Sequence, residues 1–273
     1  MQRPLSYLQT DPEGVVELFL DAYRQGAFPM ADFSRSRRES CLPGGINAGA
    51  ISIIRWYSPD PRAVLPLDKV HVSRTLARLV RRPPFTFTSD ASFERVIRAC
   101  AEARPEKPGE PPNLPWLDET LIRAYCLMHE HGHAHSIEAW AEACPGEPAG
   151  RVLVGGVYGV HIGAAFFAES MFCRPPLGGT NASNLCLLQL VAHLRAMKFA
   201  LMDVQIANPH TERFGVREVS RAVYLRRLAS ATKKGALWGT LQPEMAAERL
   251  GLGITHAASP SEEQRKQRRQ QSA

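Results

Sequence analysis

The sequence predicts an α/β or α+β chain built around a sheet, and three observations carry that reading. HAHSIEAWAEA, RVLVGGVYGVHIG and AAFFAESMF follow one another as strand-like runs. NASNLCLLQLVAHLRAMKF then repeats apolar residues at helical spacing, and ALMDVQIA returns to strand alternation. Strands, helix and strand in that order make a sheet domain.

The remaining elements read in order. VVELFLDAYRQGAF, after Pro12, has the pattern of an amphipathic helix ended by Gly26, and Phe28-Pro29 leads into the polar loop DFSRSRRESCLPGGINAG. ISIIRWY is strand-like, SPDPR is a turn, and a domain boundary is expected near Pro59 to Pro61. HVSRTLARLVRR predicts a helix capped by Ser73, FTFTS a short strand, and ASFERVIRACAEA a further helix. ARPEKPGEPPNLP is too rich in proline and glycine for anything but a loop, and WLDETLIRAYCLMHEHG predicts a helix closing at Gly132. SEEQRKQRRQQSA is charged and nearly free of apolar residues, so an unstructured tail is expected.

At 273 residues, with 44% hydrophobic and 22% charged residues, the chain has globular composition. No apolar run approaches the roughly 18 residues that cross a bilayer, and MQRPLSYLQTDPEG lacks a signal peptide's apolar segment, so a cytoplasmic protein with no membrane partner is expected. Six scattered cysteines without a C-x-x-C argue against a zinc ribbon or a disulfide framework. A net charge of +6 is compatible with a polyanionic partner without requiring one.

Two motifs fail on context. His129-Glu130-His131-Gly132-His133 matches H-E-x-x-H, but Gly132 should end the helix before His133 and break the one-turn spacing that grips zinc. VGGVYGVHIG is neither phosphate-loop pattern and lies among strand residues, where close strand approach explains its glycines better.

Three features keep a functional reading open. Leu201, Asp203 and Gln205 alternate with Met202, Val204 and Ile206, so a strand would put an acid and an amide on one face with Cβ atoms about 6–7 Å apart. That face either meets solvent or gathers both side chains on one reacting group. Asn208-Pro209 then reads as the N-cap and first residue of a helix, ending the strand where sheets commonly carry sites. Glu169, flanked by Phe166, Phe167, Met171 and Phe172, is either an edge residue in water or a carboxylate at the rim of an apolar pocket. Arg74, Arg78, Arg81 and Arg82 fall on one helical face, suited to a phosphate backbone or simply solvated.

Taken together, the motifs AYRQGAFP (22–29), YSPDPRAVL (57–65), HVSRTLARLVRR (71–82), HGHAHSIEAW (131–140), VGGVYGV (154–160), AESMF (168–172), NAS (181–183) and DVQIANPH (203–210) resemble, in order, those of the leucyl/phenylalanyl-tRNA–protein transferase family. The resemblance runs from about residue 14 to 229. It implies an α+β fold with a small N-terminal domain (1–60) and a larger acetyltransferase-like mixed-sheet domain with flanking helices (61–229); the basic C-terminal extension (230–273) falls outside it and is expected to be unstructured. It implies transfer of leucine or phenylalanine, and less readily methionine, from aminoacyl-tRNA to the α-amine of proteins beginning with arginine or lysine, which creates a degradation signal, with no cofactor or metal.

By the same resemblance Asp203 and Gln205 are catalytic, the amide orienting the acceptor amine and helping to remove its proton, the acid polarising and positioning the amide. Asn208 orients substrate, Glu169 is the acidic residue near the donor and acceptor ends, and Phe166 and Trp116 wall the donor pocket. Arg74, Arg78, Arg81 and Arg82 hold the tRNA acceptor stem. Met30 stands where the family usually has an aromatic residue, which bears on donor preference. Tyr57, Asn184, the loop around Cys41 and the insert RPPLGG also depart from the pattern. The rival readings are an acyl-CoA N-acyltransferase and a noncatalytic RNA-binding module.

Overall fold

A computed structural model describes residues 11–32, 53–102, 117–142 and 150–252. A two-stranded antiparallel sheet pairs β1 (Phe28–Asp32) with β2 (Ile53–Tyr57). The main sheet has seven strands in the order β4-β5-β6-β7-β8-β3-β9. Its members are β3 (Arg62–Val64), β4 (Thr86–Ser89), β5 (Ala134–Glu142), β6 (Arg151–Ile162), β7 (Ala165–Cys173), β8 (Leu201–Gln205) and β9 (Arg217–Val219). Every pairing is antiparallel except β7 with β8, so the fold is α+β with a mixed sheet. Among the described residues no helix is long and apolar enough to cross a membrane.

Helices cover both faces. On one, α1 (Pro12–Arg24), α3 (Phe93–Ala101), α4 (Glu119–Glu130) and α7 (Arg221–Thr232) bury their apolar stripes in a single cluster with Tyr158 and Phe167 of the sheet. On the other, α2 (Arg74–Arg81), the almost wholly buried α5 (Ala182–Ala196) and α8 (Ala246–Arg249) enclose a second cluster with Val157, Phe166 and Met202. Local signals act where expected. Asp11, Ser73 and Asp118 accept backbone N–H groups of α1, α2 and α4, and Gly132 ends the last of these at φ +76°. His129 and His133 therefore never share a helix; His129 stacks on Phe93 instead. Gly155 lets α5 approach β6 closely, since a Cβ there would lie 2.5 Å from that of Ala182.

Several segments differ from expectation. SPDPR is more than a turn, because Arg62 opens β3, which inserts between β8 and β9. Phe28 and Pro29 belong to β1, not to the start of a loop, and β9 and α7 were not legible. The largest correction concerns the extension from residue 230, expected to be unstructured. Trp238, Ala246, Ala247 and Leu250 are buried against the α5 side of the sheet, so the segment up to 252 supplies enough apolar contact to order itself. The charged end beyond it lies outside the described residues, as does the loop around Cys41.

Trp238 is held over a group of buried histidines. It stacks on His135 at 4.3 Å, meets His193 edge-on at 4.5 Å, and donates Nε1–H to Ser89 Oγ. Burial pushes His193 down to about 4, and among the described residues neither ring nitrogen has a hydrogen-bond partner of ordinary geometry. An unfolded chain takes up the proton near pH 6.5, before the folded one can, so stability is full above that value and falls as pH drops toward 4. The gap corresponds to a loss of about 3 kcal/mol. Urea midpoints measured across this range should fall with pH in the wild type and much less in His193→Leu; equal slopes would rule out this histidine as the cause.

Candidate active site

The site begins where the sheet comes apart. β7 and β8 pair only through Ala165–Phe167 and Leu201–Asp203 and then diverge. At the point of divergence the β6–β7 register shifts: Tyr158 faces Ser170 and Gly159 faces Ala168, leaving Glu169 between them as a bulge without a cross-strand partner. A cavity of about 1110 Å³ opens along the split. Val157, Ala168 and Leu187 from one side of the sheet and Phe28, Met30 and Phe172 from the other all reach it.

Two polar groups meet in this largely apolar space. Glu169 is half-buried, with Tyr23 Oη donating to Oε1 at 2.7 Å and Tyr125 Oη donating to Oε2 at 3.0 Å. Burial pushes its carboxyl up to about 7, outweighing the hydrogen bonds from Tyr23, Gln205 and Tyr125 that pull it down; the negative charge of Asp203 adds to the rise. Gln205 also lines the cavity, its carboxamide beside Glu169, while its buried Nε2 has no hydrogen-bond partner of ordinary geometry.

Asp203 does not project into the cavity. It is fully buried and ion-paired to an equally buried Arg62, whose Nη2 lies 2.6 Å from Oδ2 and whose Nε lies 2.9 Å from Oδ1. Tyr224 Oη donates to the same Oδ2 at 2.6 Å. The remaining capacity of Oδ1 accepts the backbone N–H of Gln205 at 2.8 Å. Arg62 in turn donates to the Gly26 carbonyl and lies over the rings of Phe28 and Tyr224. The expectation that the acid polarises the amide side chain is corrected on this geometry: Asp203 grips the main chain of Gln205, not its carboxamide. That grip matters because Gln205 sits at φ +64°, a left-handed conformation unfavourable for a residue with a Cβ.

The other candidates separate. Met30 lines the cavity, as does Asn208, whose Oδ1 is already engaged by the backbone N–H groups of His210 and Thr211 at the start of α6 (Pro209–Glu212); its amide nitrogen remains for a ligand. Phe166 is not a wall of this cavity. Strand alternation turns it into the second core, stacked on Trp238 at 5.5 Å, while the flanking Phe167 faces Tyr23. Trp116 lies outside the described residues. The arginine stripe is shorter than predicted, because Pro83 disfavours helix at Arg82, which leaves α2 at φ −138°. Arg81 donates to the Leu252 carbonyl. Arg74 and Arg78 remain as exposed cations along α2. What the sequence did not reveal were Arg62, Tyr23 and Tyr125, each distant in the chain from the residues it holds.

A mixed sheet split beside its parallel pair, with an acid and a carboxamide side by side in an apolar cleft, suits a transferase that holds two substrates together. The family model described as leucyl/phenylalanyl-tRNA protein transferase matches residues 64–229. Proteins named leucyl/phenylalanyl-tRNA–protein transferase are similar along most of the chain. That of Gloeobacter violaceus is 43% identical over 215 residues, covering 79% of this chain and 92% of its own. That of Rubrobacter xylanophilus is 43% identical over 217 residues (80% and 94%), and that of Salinibacter ruber 39% over 232 residues (85% and 86%). The chain belongs to the leucyl/phenylalanyl-tRNA–protein transferase family, a family of aminoacyltransferases.

Proposed function

We propose that this protein moves leucine or phenylalanine, and less readily methionine, from aminoacyl-tRNA to the α-amine of cytoplasmic proteins that begin with arginine or lysine, making an N-terminal degradation signal. The observation that carries the reading is the meeting of Glu169 and Gln205 at the split of β7 and β8, inside a cavity whose walls are largely apolar. Apolar walls favour a leucine or phenylalanine side chain by burial, and discrimination of about 1–3 kcal/mol per methylene gives mixed donor specificity. A flexible Met30 in that wall adapts to either shape. The Glu169 carboxylate favours a cationic acceptor, and Gln205 and Asn208 orient the amine and the ester. Asp203 is a positioning residue.

The reaction needs no covalent enzyme intermediate. A neutral α-amine attacks the aminoacyl ester, a C–N bond forms, the bond to the ribose oxygen breaks, and the proton lost by nitrogen ends on that oxygen. With an α-amino pKa near 7.7–8.0 the nucleophile is already partly neutral, so placement supplies most of the acceleration. Incubation with labelled leucyl-tRNA and peptides starting with Arg, Lys or Ala tests the reading. Label should enter the first two and not the third, whereas label delivered only from acyl-CoA, or to no peptide, would refute it.

Exposed Arg74 and Arg78 fit the phosphates of the tRNA acceptor stem. Reversing both charges with Arg74→Glu and Arg78→Glu should weaken binding of charged tRNA and make log K less steep against log salt by about 1 for each lost contact. Binding isotherms at several salt concentrations measure this, and an unchanged slope would remove α2 from the tRNA interface.

A further inference from the structure

Glu169, Tyr23 and Tyr125 form a closed ring of oxygens. The three contacts are Tyr23 Oη to Glu169 Oε1 at 2.7 Å, Tyr125 Oη to Glu169 Oε2 at 3.0 Å, and Tyr23 Oη to Tyr125 Oη at 2.8 Å. All three are at hydrogen-bond distance, so filling every edge takes three protons. The tyrosines bring one each. Burial, followed by the charge of Glu169, pushes both hydroxyls well above their ordinary values, so neither gives its proton away. With Glu169 ionised the ring is thus one proton short, and one edge sets two oxygen lone pairs against each other in a buried place. Protonating Glu169 completes it: the acid donates to Tyr23, Tyr23 donates to Tyr125, and Tyr125 donates back to the second carboxyl oxygen.

We infer that Glu169, Tyr23 and Tyr125 act as one proton-accepting unit, with Glu169 taking the proton that the acceptor amine loses and the two tyrosines positioning and completing its acid form. The inference rests on the aminoacyl transfer proposed above and assigns it a base. Gln205 cannot fill that role, because an amide oxygen is far too weak a base to hold a proton, although it stands beside the carboxylate and can pass the amine toward it. The balance is closed. The N–H proton goes to Glu169 as the C–N bond forms, and the same proton returns to the departing ribose oxygen as the ester C–O bond breaks.

The surroundings favour a proton that can both arrive and leave. Tyr23 from α1, Tyr125 from α4, and Gln205 and Asp203 from β8 all act on Glu169. The charge of Asp203 favours the acid form but is largely spent on Arg62 from β3, whose guanidinium feels Glu169 as well. Behind Tyr125 lies Tyr158 of β6, buried and with no hydrogen-bond partner for its hydroxyl among the described residues. The carboxyl is held at about 7 by burial, close to the working pH, where a base takes up and releases a proton with equal ease.

Single-turnover transfer of labelled leucine tests this, using saturating charged tRNA and an Arg-starting peptide whose α-amine is made weakly basic, so that it stays neutral throughout the pH range. The wild-type rate should rise with pH through one inflection near 7. Glu169→Gln should lower it about 100-fold or more and remove the inflection. Bonds donated to the ionised carboxylate pull it down, so deleting a hydroxyl would raise the inflection if that were all the tyrosines did; if the third edge, which only the acid form fills, outweighs those bonds, Tyr23→Phe and Tyr125→Phe should each lower it. A raised inflection in either variant, or unchanged rate and inflection in Glu169→Gln, overturns the inference. Tyr23→Phe and Tyr125→Phe decide the matter alone if Glu169→Gln fails to bind charged tRNA as the wild type does. Absence of transfer by the wild type would instead count against the proposed function.

Discussion

Asp203→Ala should unfold the protein more readily, by about 3–5 kcal/mol, because it strands the guanidinium of Arg62 in a fully buried place. Among the described residues Arg62 forms its ion pair with this carboxylate, and its other direct contacts are a carbonyl and two ring faces that cannot neutralise it. Tyr224 Oη and the Gln205 N–H lose their acceptor in the same substitution. Urea or thermal unfolding of the purified variant measures the loss. Arg62→Met together with Asp203→Leu should recover much of it, because removing both charges also removes the buried imbalance. A single Asp203→Ala variant as stable as the wild type would show that the pair carries no structural role. Loss of transfer in that variant is therefore uninformative about chemistry unless stability is measured beside it.

Gln205→Ala should lower transfer by about 100-fold or more while leaving unfolding and tRNA binding nearly unchanged. Its carboxamide reaches the cavity, and its contact with Glu169 falls short of ordinary hydrogen-bond geometry, so losing it should cost the fold little. The backbone gives this prediction a second arm. Because residue 205 is held left-handed, Gln205→Gly should be as inactive as the alanine variant yet more stable than it, by about 1–2 kcal/mol, since glycine adopts that conformation without a Cβ penalty. Stability and activity parting in this way would mark the strained backbone as kept for the position of one amide. Equal stability of the two variants would deny the strain, and retained transfer in both would remove Gln205 from the reaction.

Local chemistry made much of the fold legible. Helix caps at Ser73 and Asn208 and the glycine stops at Gly26 and Gly132 act within a few residues, so they are visible in the chain itself. The runs that became β5, β6 and β7 were readable because each is nine or more residues of sustained strand pattern. β3 and β9, with three residues each, carry too little pattern to be seen, and they are strands only because their neighbours hold them. The extension after residue 230 was misjudged for a related reason: a few buried side chains, Trp238 foremost, decide its order, and average composition hides them.

The sequence by itself determined the class of fold, the order of its long elements, the family resemblance, and that Asp203, Gln205 and Glu169 were the polar residues to watch, since these depend on residue type and spacing along the chain. Tertiary structure alone decided where each is held and what surrounds it. Arg62 reaches Asp203 across 141 positions, and Tyr23 reaches Glu169 across 146. A bulge and a parting of two strands, neither visible in local pattern, put Glu169 and Gln205 in one cleft while turning Phe166 out of it. Whether a carboxylate is a buried anchor or a proton acceptor depends on what charge and how much water surround it, and both are set by residues far away in the chain.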